Sequence, residues 1–358
     1  MPVPDRAGIV AGTCAAYEAA PLKEFFSGAL TRLGFSLSRC KVLLKPNLLS
    51  GRSPEKATNT HPGFVAALAE IFLEEGCTVF VGDSPGYEST EKALEKSSIM
   101  EVVRKLGLEV APFRKRVAKG NAGISPYREF VFGEDPLDYD LVVNVPKLKT
   151  HVMMGLTAGV KNTFGFIPSL EKAQWHLRCG TDKQLFAALL ADIHTVVNPG
   201  LTVLDGILAM DGDGPSHGRV RHLGFVAMSD NAFSLDAFLE KALSLPFPLP
   251  ISALAREKGL LPEAAVTDLG APEVGDFRMP ATMEVDWNLP PLLRETARHL
   301  FTRKPKGDSR KCTACGACMK VCPAAALRVG EKGVSFDYGK CIRCYCCQEM
   351  CPAGAITV

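Results

Sequence analysis

Short apolar runs alternate with amphipathic stretches along the first three quarters of the chain. KVLLK (41–45) is an apolar run of strand length. After Thr60-His61-Pro62 the apolar positions become Phe64, Val65, Leu68, Ile71 and Phe72. That 3.6-residue spacing predicts a helix, with proline suited to its first position and Gly76 ending it. CTVFV (77–81) then reads as a second strand. Strand, helix, strand is the βαβ pattern, which implies a mostly parallel sheet. LVVNV (141–145) and LTVLD (201–205) predict further strands, and KQLFAALLADIHTVV (183–197) a further helix. The expected fold class is α/β: a mostly parallel sheet with flanking helices over residues 1–278. A connector over 279–308 begins proline-rich and ends basic, with one short amphipathic helix expected at 291–301. A small α+β domain fills 309–358.

The predicted strand ends carry the polar groups. Lys45-Pro46-Asn47 follows one strand, and Gly82-Asp83-Ser84-Pro85-Gly86 the next. Asn144-Val145-Pro146-Lys147-Leu148-Lys149-Thr150-His151 ends a third, and Asp205, then Asp211-Gly212-Asp213, follow a fourth. Ligands of open parallel sheets bind at the carboxyl edge, so these four ends should converge on one site. Lys147 and Lys149 alternate along an extended segment and would face one side. Like charges held together suit an anionic ligand such as a carboxylate or phosphate; the alternative is a pair of solvated surface lysines. Asp83, Asp205, Asp211 and Asp213 are either turn residues beside glycine or ligands of an additional divalent cation, which would bring two of them within about 5 Å. His151 is either a general acid or base, its ordinary pKa lying near 6.5, or a plain hydrogen-bonded histidine. His176 and Cys179 in WHLRCG form half a metal site without partners.

Composition narrows the field. Lys plus Arg number 41 against 39 Asp plus Glu, so charge gives no case for nucleic acid or a membrane surface. The opening residues lack a basic and then apolar leader pattern, and no apolar run approaches the ~18 residues of a membrane span. The expected location is cytoplasmic. No G-x-G-x-x-G and no G-x4-G-K-[ST] is present, so a nucleotide cofactor has no sequence support.

Nine of the thirteen cysteines lie between Cys312 and Cys351. In a reducing compartment such clustering implies metal ligands or redox chemistry. Cys312, Cys315, Cys318 and Cys322 recur 29 residues on as Cys341, Cys344, Cys347 and Cys351, with Pro323 repeated as Pro352. This is an internal duplication of C-x2-C-x2-C-x3-C-P. The first three thiolates of a copy converge on one iron–sulfur cube. The fourth, expected to begin a short helix pointing away, reaches the other cube. Cys312, Cys315, Cys318 and Cys351 are thus assigned to one [4Fe–4S] cluster, and Cys341, Cys344, Cys347 and Cys322 to a second. Zinc sites need neither the third cysteine nor the C-P ending. RVG and VSF between the copies should pair as a hairpin with Gly333 near its turn. Cys346 is a fifth thiol outside both sets, read as a packing residue or one that tunes potential.

This segment resembles the bacterial two-cluster ferredoxins over about 48 residues, with Tyr345 where the first copy has Gly316. VLLKPNL, THPGFVAAL, VGDSPG, NVPKLKTH, TAGVKNTFG and LTVLDGILAMDGDGP together resemble the domain of unknown function 362 family. The resemblance implies a ferredoxin module fused to a large domain and adds Lys161 and Asn162 to the candidate site. In architecture alone the large domain is also similar to the nickel-pincer lactate racemases.

The expected function is an electron-transfer protein that passes electrons between two [4Fe–4S] clusters and a small anionic substrate at the strand edge. Lys147, Lys149 and Lys161 would neutralise the substrate, and His151 would deliver a proton. Lys45, Asn47, Asp83, Ser84, Asn162, Asp205, Asp211 and Asp213 would hold it or an unidentified ligand. The redox partner is left open. Two other readings stand beside it: a partner that docks a client protein for electron delivery or maturation, and a non-redox isomerase or racemase with structural clusters.

Overall fold

A computed structural model describes residues 6–36, 38–283 and 302–358. The helix expected at 291–301 lies outside the described residues. The large sheet contains β1 (Arg6–Thr13), β2 (Lys41–Pro46), β3 (Thr78–Val81) and β4 (Glu109–Val110), with β5 (Val117–Gly120) and β6 (Glu129–Phe132) forming a separate hairpin. It continues through β7 (Leu141–Val145), β8 (Lys147–His151), β9 (Gly155–Thr157), β10 (Leu201–Asp211), β11 (Arg219–Ser229) and β12 (Glu263–Leu269). Its order is β12-β1-β11-β10-β7-β2-β3-β4, with β8 paired to β10 and β9. The run from β10 to β4 is parallel throughout, and β11 enters antiparallel to both neighbours.

Why the central strands read as unbroken apolar runs is clear from their two covered faces. Val42 and Leu44 of β2 face a core with Phe26 and Phe64, from α1 (Ala19–Arg32) and α2 (Pro62–Glu74). Leu43, one residue between them, faces the opposite core with Phe186 and Leu189 of α7 (Lys183–Val197). The two-residue period of a strand puts neighbours on opposite faces. Helix α2 begins at Pro62 with His61 as its cap. Helix α7 begins after Asp182, whose carboxylate accepts from the Gln184 and Leu185 amides, as a capping side chain should.

From β2 the chain builds outward to β3 and, through α3 (Thr90–Lys96) and α4 (Ile99–Leu106), to β4, then returns to place β7 on the other side of β2. The order reverses between β2 and β7, which opens a crevice at their carboxyl ends.

In the tail, Leu327–Gly330 pairs antiparallel with Gly333–Phe336, the expected hairpin, with Gly333 at φ 91°. Lys306–Gly307 pairs with Ile356–Thr357. The duplication is visible in the backbone: Ala314 and Arg343 share φ 53°, and Gly316 and Tyr345 take φ 73° and 62°. Left-handed φ is natural for glycine but strained for tyrosine, by about 1 kcal/mol; the Tyr345 hydroxyl donates to the Arg303 carbonyl at 2.8 Å. One expectation is corrected. The fourth cysteine of each copy does not begin a helix. The short helices Ala317–Lys320 and Cys346–Met350 precede Cys322 and Cys351, and the third cysteines, Cys318 and Cys347, lie inside them. The left-handed residues Gly316 and Tyr345 start these helices, and Pro323 and Pro352 follow their ends, where proline cannot extend a helix.

Candidate functional site

The tail rests on the carboxyl edge of the sheet. Arg52 donates to the Cys351 carbonyl at 2.9 Å and to the Ser216 carbonyl at 3.2 Å. His217 Nε2 donates to the Cys351 carbonyl at 2.8 Å, Ser216 Oγ to the Glu349 carbonyl at 2.6 Å, and Gln348 to the Asp213 carbonyl at 3.1 Å. These bonds fix the second cysteine repeat over the crevice.

Between the two parts lies a cleft of about 760 Å³, partly open to solvent. The sheet edge supplies Asn47, Asp83, Ser84, Lys149 and His151; α5 (Gly159–Asn162) supplies Lys161 and Asn162; α6 (Glu171–Cys179) supplies Lys172 and His176. The tail supplies Val321, Cys346, Glu349 and Met350.

A chain of amides forms one wall. Asn47 donates to Asn162 Oδ1, and Asn162 to Asn144 Oδ1, each at 2.8 Å; Asn144 in turn donates to the Gly159 carbonyl at 2.7 Å. Asn47 Oδ1 has no partner. Beside it, Lys45 and Asp83 are an ion pair at 2.8 Å, almost without solvent contact. Asp83 also accepts from the Leu48 and Ser84 amides, at 2.8 and 2.9 Å. Gly165 lies directly over this pair, and a Cβ there would collide with both Asp83 and Lys45. Breaking a buried ion pair costs about 3–5 kcal/mol. Gly165→Ala is therefore expected to lower stability by that order, read as a fall in the urea midpoint.

His151 is held by its ring. Nδ1 accepts from the Met153 and Met154 amides at 3.1 and 3.3 Å, so the remaining proton belongs on Nε2. Nε2 lies 2.9 Å from Glu349 Oε1, yet the two atoms miss the angles of a hydrogen bond and neither has another partner. His176 Nδ1 is also buried and unpartnered. Burial, and then the Lys161 charge, hold His151 down at about 4, and burial holds His176 at about 3. The Glu349 carboxyl sits at about 2, where burial opposes ionisation but His151 and Lys161 outweigh it. At neutral pH His151 is thus uncharged and Glu349 ionised.

Three lysines give the cleft its sign. Lys149 donates to the Thr58 carbonyl; burial, then Lys161, push it well below the usual lysine range. Lys172 donates to the Ser84 carbonyl and is lowered to about 7, chiefly by burial. The Lys161 ammonium lies 5.9 Å over the Phe164 ring, and among the described residues no hydrogen bond or ion pair holds it. Glu349 is the carboxylate that faces them, since Asp83 is matched by Lys45. Burial strips protons from these lysines, and an anion bound among them would draw those protons back, so the site couples anion binding to lysine charging.

Not every predicted residue meets here. Lys147 pairs with Asp205 at 2.8 Å. Tyr17 bridges the two, 2.9 Å from the Lys147 ammonium and donating to Asp205 at 2.8 Å, with the His61 ring stacked on Tyr17 at 3.6 Å. None of Tyr17, His61, Lys147 and Asp205 lines the cleft. Asp211 is held by Arg219 and Arg221, and Asp213 contributes its backbone. Asp83, Asp205 and Asp211 thus each have a cationic partner, and no three His, Cys, Asp or Glu side chains among the described residues are placed for a single metal ion. Cys179 sits 3.5 Å from the Tyr127 hydroxyl, in the core. Lys172, His176, Cys346 and Glu349 complete the cleft without having been assigned to it from sequence.

Buried neutral histidines predict an acid response. His61 is held at about 4 and His194 at about 3, by burial first, like His151 and His176. Unfolded, each binds a proton near pH 6.5. The unfolded state therefore holds more protons between about pH 6.5 and 4, and stability falls as pH drops through that window. Each histidine contributes up to about 1.4 kcal/mol per pH unit. The urea midpoint should fall steeply from about pH 7 to 5, and His194→Gln, remote from the thiols, should make that fall shallower.

The tail thiols ring two cavities. Cys322, Cys341, Cys344 and Cys347 line one of about 320 Å³. Cys312, Cys315, Cys318 and Cys351 line another of about 310 Å³. Four thiols around a space, not gathered on a point, fit a multi-iron cube with one thiolate per iron.

The chain is thus an α/β protein whose strand-edge cleft is closed by an iron–sulfur module. It belongs to the domain of unknown function 362 family, whose profile matches residues 42–239. A 4Fe–4S dicluster domain matches residues 302–355. The thylakoid-associated protein sll1697 of Synechocystis sp. is 36% identical over 299 residues, covering 80% of this chain and 92% of that protein. Among solved structures, the lactate racemase apoprotein from Thermoanaerobacterium thermosaccharolyticum aligns at TM-score 0.40 and 11% identity, over 62% of this chain and 54% of that one. No helix among the described residues is long and apolar enough to cross a membrane.

Proposed function

We propose that this protein is an iron–sulfur oxidoreductase acting on a small anionic substrate in the cleft beneath the second cysteine repeat. One observation carries the reading: Cys346, Glu349 and Met350 line that cleft and lie among Cys344, Cys347 and Cys351. The inner thiol set and the polar site therefore share a wall. When bound there, a [4Fe–4S] cluster supplies one electron at a time.

The chain's own groups do the rest. Lys161, with Lys149 and Lys172, draws the anion in and neutralises it. The unpaired Asn47 Oδ1 is left to accept from a hydroxyl or N–H elsewhere on the substrate, away from its charged group, which would fix the orientation. Held in the Nε2–H tautomer by the Met153 and Met154 amides on Nδ1, His151 directs its one N–H into the cleft as a donor to the bound anion. Burial keeps competing water out. At the outer thiol set Cys315 is exposed and Met319 is 46% exposed, so an external electron partner meets the protein there. A membrane-held partner would suit the thylakoid association of the Synechocystis relative.

The test is anaerobic stopped-flow. Dithionite-reduced protein is mixed with a panel of 2-oxo acids, enoates and phosphorylated acids, and recovery of the cluster absorbance is followed. At least one compound should reoxidise the protein far faster than buffer, with the effect lost in His151→Phe. A panel with no such compound, despite full iron content and a cleft that binds anions, rejects the reading in favour of a client-docking role.

A further inference from the structure

Two thiols outside the tail face each other at the other end of the sheet. Cys40 immediately precedes β2 and Cys77 immediately precedes β3. Lys41 is in register with Thr78 in that parallel pair, so Cys40 and Cys77 are opposite one another. The Thr78 amide donates to the Cys40 carbonyl at 2.9 Å, holding the two backbones together. The sulfurs are 3.1 Å apart. A disulfide needs its sulfurs about 2.0 Å apart and its Cα atoms about 4.4–6.8 Å apart. Adjacent strands already satisfy the second condition at about 4.8 Å, so a small side-chain rotation closes the bond. Cys40 is half-buried, within reach of a small reagent, and Cys77 is 5% exposed behind it.

We infer that Cys40 and Cys77 form a redox-active dithiol, closed to a disulfide by exchange with a low-molecular-weight disulfide. The Cys40 thiolate attacks one sulfur of the small disulfide RSSR, forming Cys40–S–SR and releasing RS⁻. The Cys77 thiolate then attacks Cys40 Sγ, forming the intramolecular bond and releasing a second RS⁻. The two thiol protons pass to the released thiolates, so two RSH leave, and two electrons move from the cysteines to RSSR. Burial, then the neighbouring Cys77 sulfur, hold the Cys40 thiol up at about 11, so exchange is slow near neutrality and faster in alkali. The closed bond staples together the starts of β2 and β3. The far ends of these strands present Lys45 and Asp83 beside the cleft, so the dithiol records oxidation on the strands that carry the site.

Anaerobically isolated, iron-replete full-length protein is incubated with oxidised glutathione, alkylated, and mapped by mass spectrometry without reduction. A linked peptide pair containing Cys40 and Cys77, two hydrogen masses lighter than its parts, is expected with iron content unchanged. The unfolding midpoint should shift upward and return with dithiothreitol. Cys77→Ser should trap a lasting glutathione adduct on Cys40, and Cys40→Ser should leave Cys77 unmodified. Full alkylation of both cysteines after prolonged exposure, or a stable glutathione adduct on Cys40 of the unaltered chain, overturns the inference. Neither result bears on the cleft chemistry.

Discussion

Cys344→Ala is expected to halve the iron content, from about eight to about four atoms per chain, while Cys346→Ala leaves it at about eight. The two residues are neighbours but one, and both are buried. Their difference is geometric. Cys344 lines the cavity shared with Cys322, Cys341 and Cys347, whereas Cys346 lines the strand-edge cleft and packs on Val321 and Met350. Removing one thiolate leaves an iron without its protein ligand. The tail has a small core, centred on Leu327, Ala355 and Ile356, so metal binding must supply much of its folding free energy. Loss of the inner cube should therefore loosen Cys346–Met350, displace Glu349 from His151, and abolish reoxidation by the substrate. Cys315→Ala should cost as much iron but spare the cleft wall, because its thiol set faces outward. Iron analysis with electron paramagnetic resonance of the reduced protein checks all three variants. Cys346→Ala losing iron as Cys344→Ala does would break the assignment of thiols to cavities.

Particular residues show how far the sequence could be read. The strands at 41–45 and 141–145 and the helix at 183–197 were legible because both faces are covered and their patterns are uninterrupted. Strands β1 and β11 carry glycine at Gly8, Gly12 and Gly224 and mix polar with apolar positions, so periodicity hid them. The strand-end rule placed Asn47, Asp83, Ser84, Lys149 and His151 at one edge, where they line the cleft with Lys45 behind Asp83, because chain direction fixes which end of a strand faces the crevice. It could not tell Lys149 from Lys147. Both side chains leave the same face of β8, but Tyr17 and Asp205 meet only the first, in contacts across 130 and 58 residues. Lys172 and His176, four apart on one helix face, carried a local signal in LEKAQWH. Glu349 carried none. Flanked by cysteines, it reads as part of an iron-binding loop, and its meaning depends on how that loop docks. The repeat spacing, by contrast, encodes its own geometry, since thiols three positions apart on a tight loop can meet only a compact centre.

Lys161→Met is expected to weaken anion binding by about 10–100-fold while costing less stability than Lys45→Met, since Glu349 loses only a charge it does not directly touch. Among the described residues, the Lys161 ammonium lacks a directly bonded carboxylate. Lys45 has Asp83 and Lys147 has Asp205, whereas Lys161 has an aromatic face and the Glu349 charge without a direct ion pair. An unpaired cation at a poorly hydrated site is a cost to the folded state, and burial lowers its proton affinity. Methionine fills a similar volume without that cost. An anion bound in the cleft reverses the balance, because a hydrogen bond to a charged group contributes about 1.5–3 kcal/mol, the source of the fold-change. Lys45→Met is the contrasting case: it leaves Asp83 buried and unpaired and should destabilise by about 3–5 kcal/mol. Calorimetric titration with phosphate, oxalate and 2-oxo acids, beside urea denaturation, separates the two. A Lys161→Met protein that loses as much stability as Lys45→Met yet binds anions as before would mean that the ammonium serves the fold, and the cleft would lose its claim to a charged ligand.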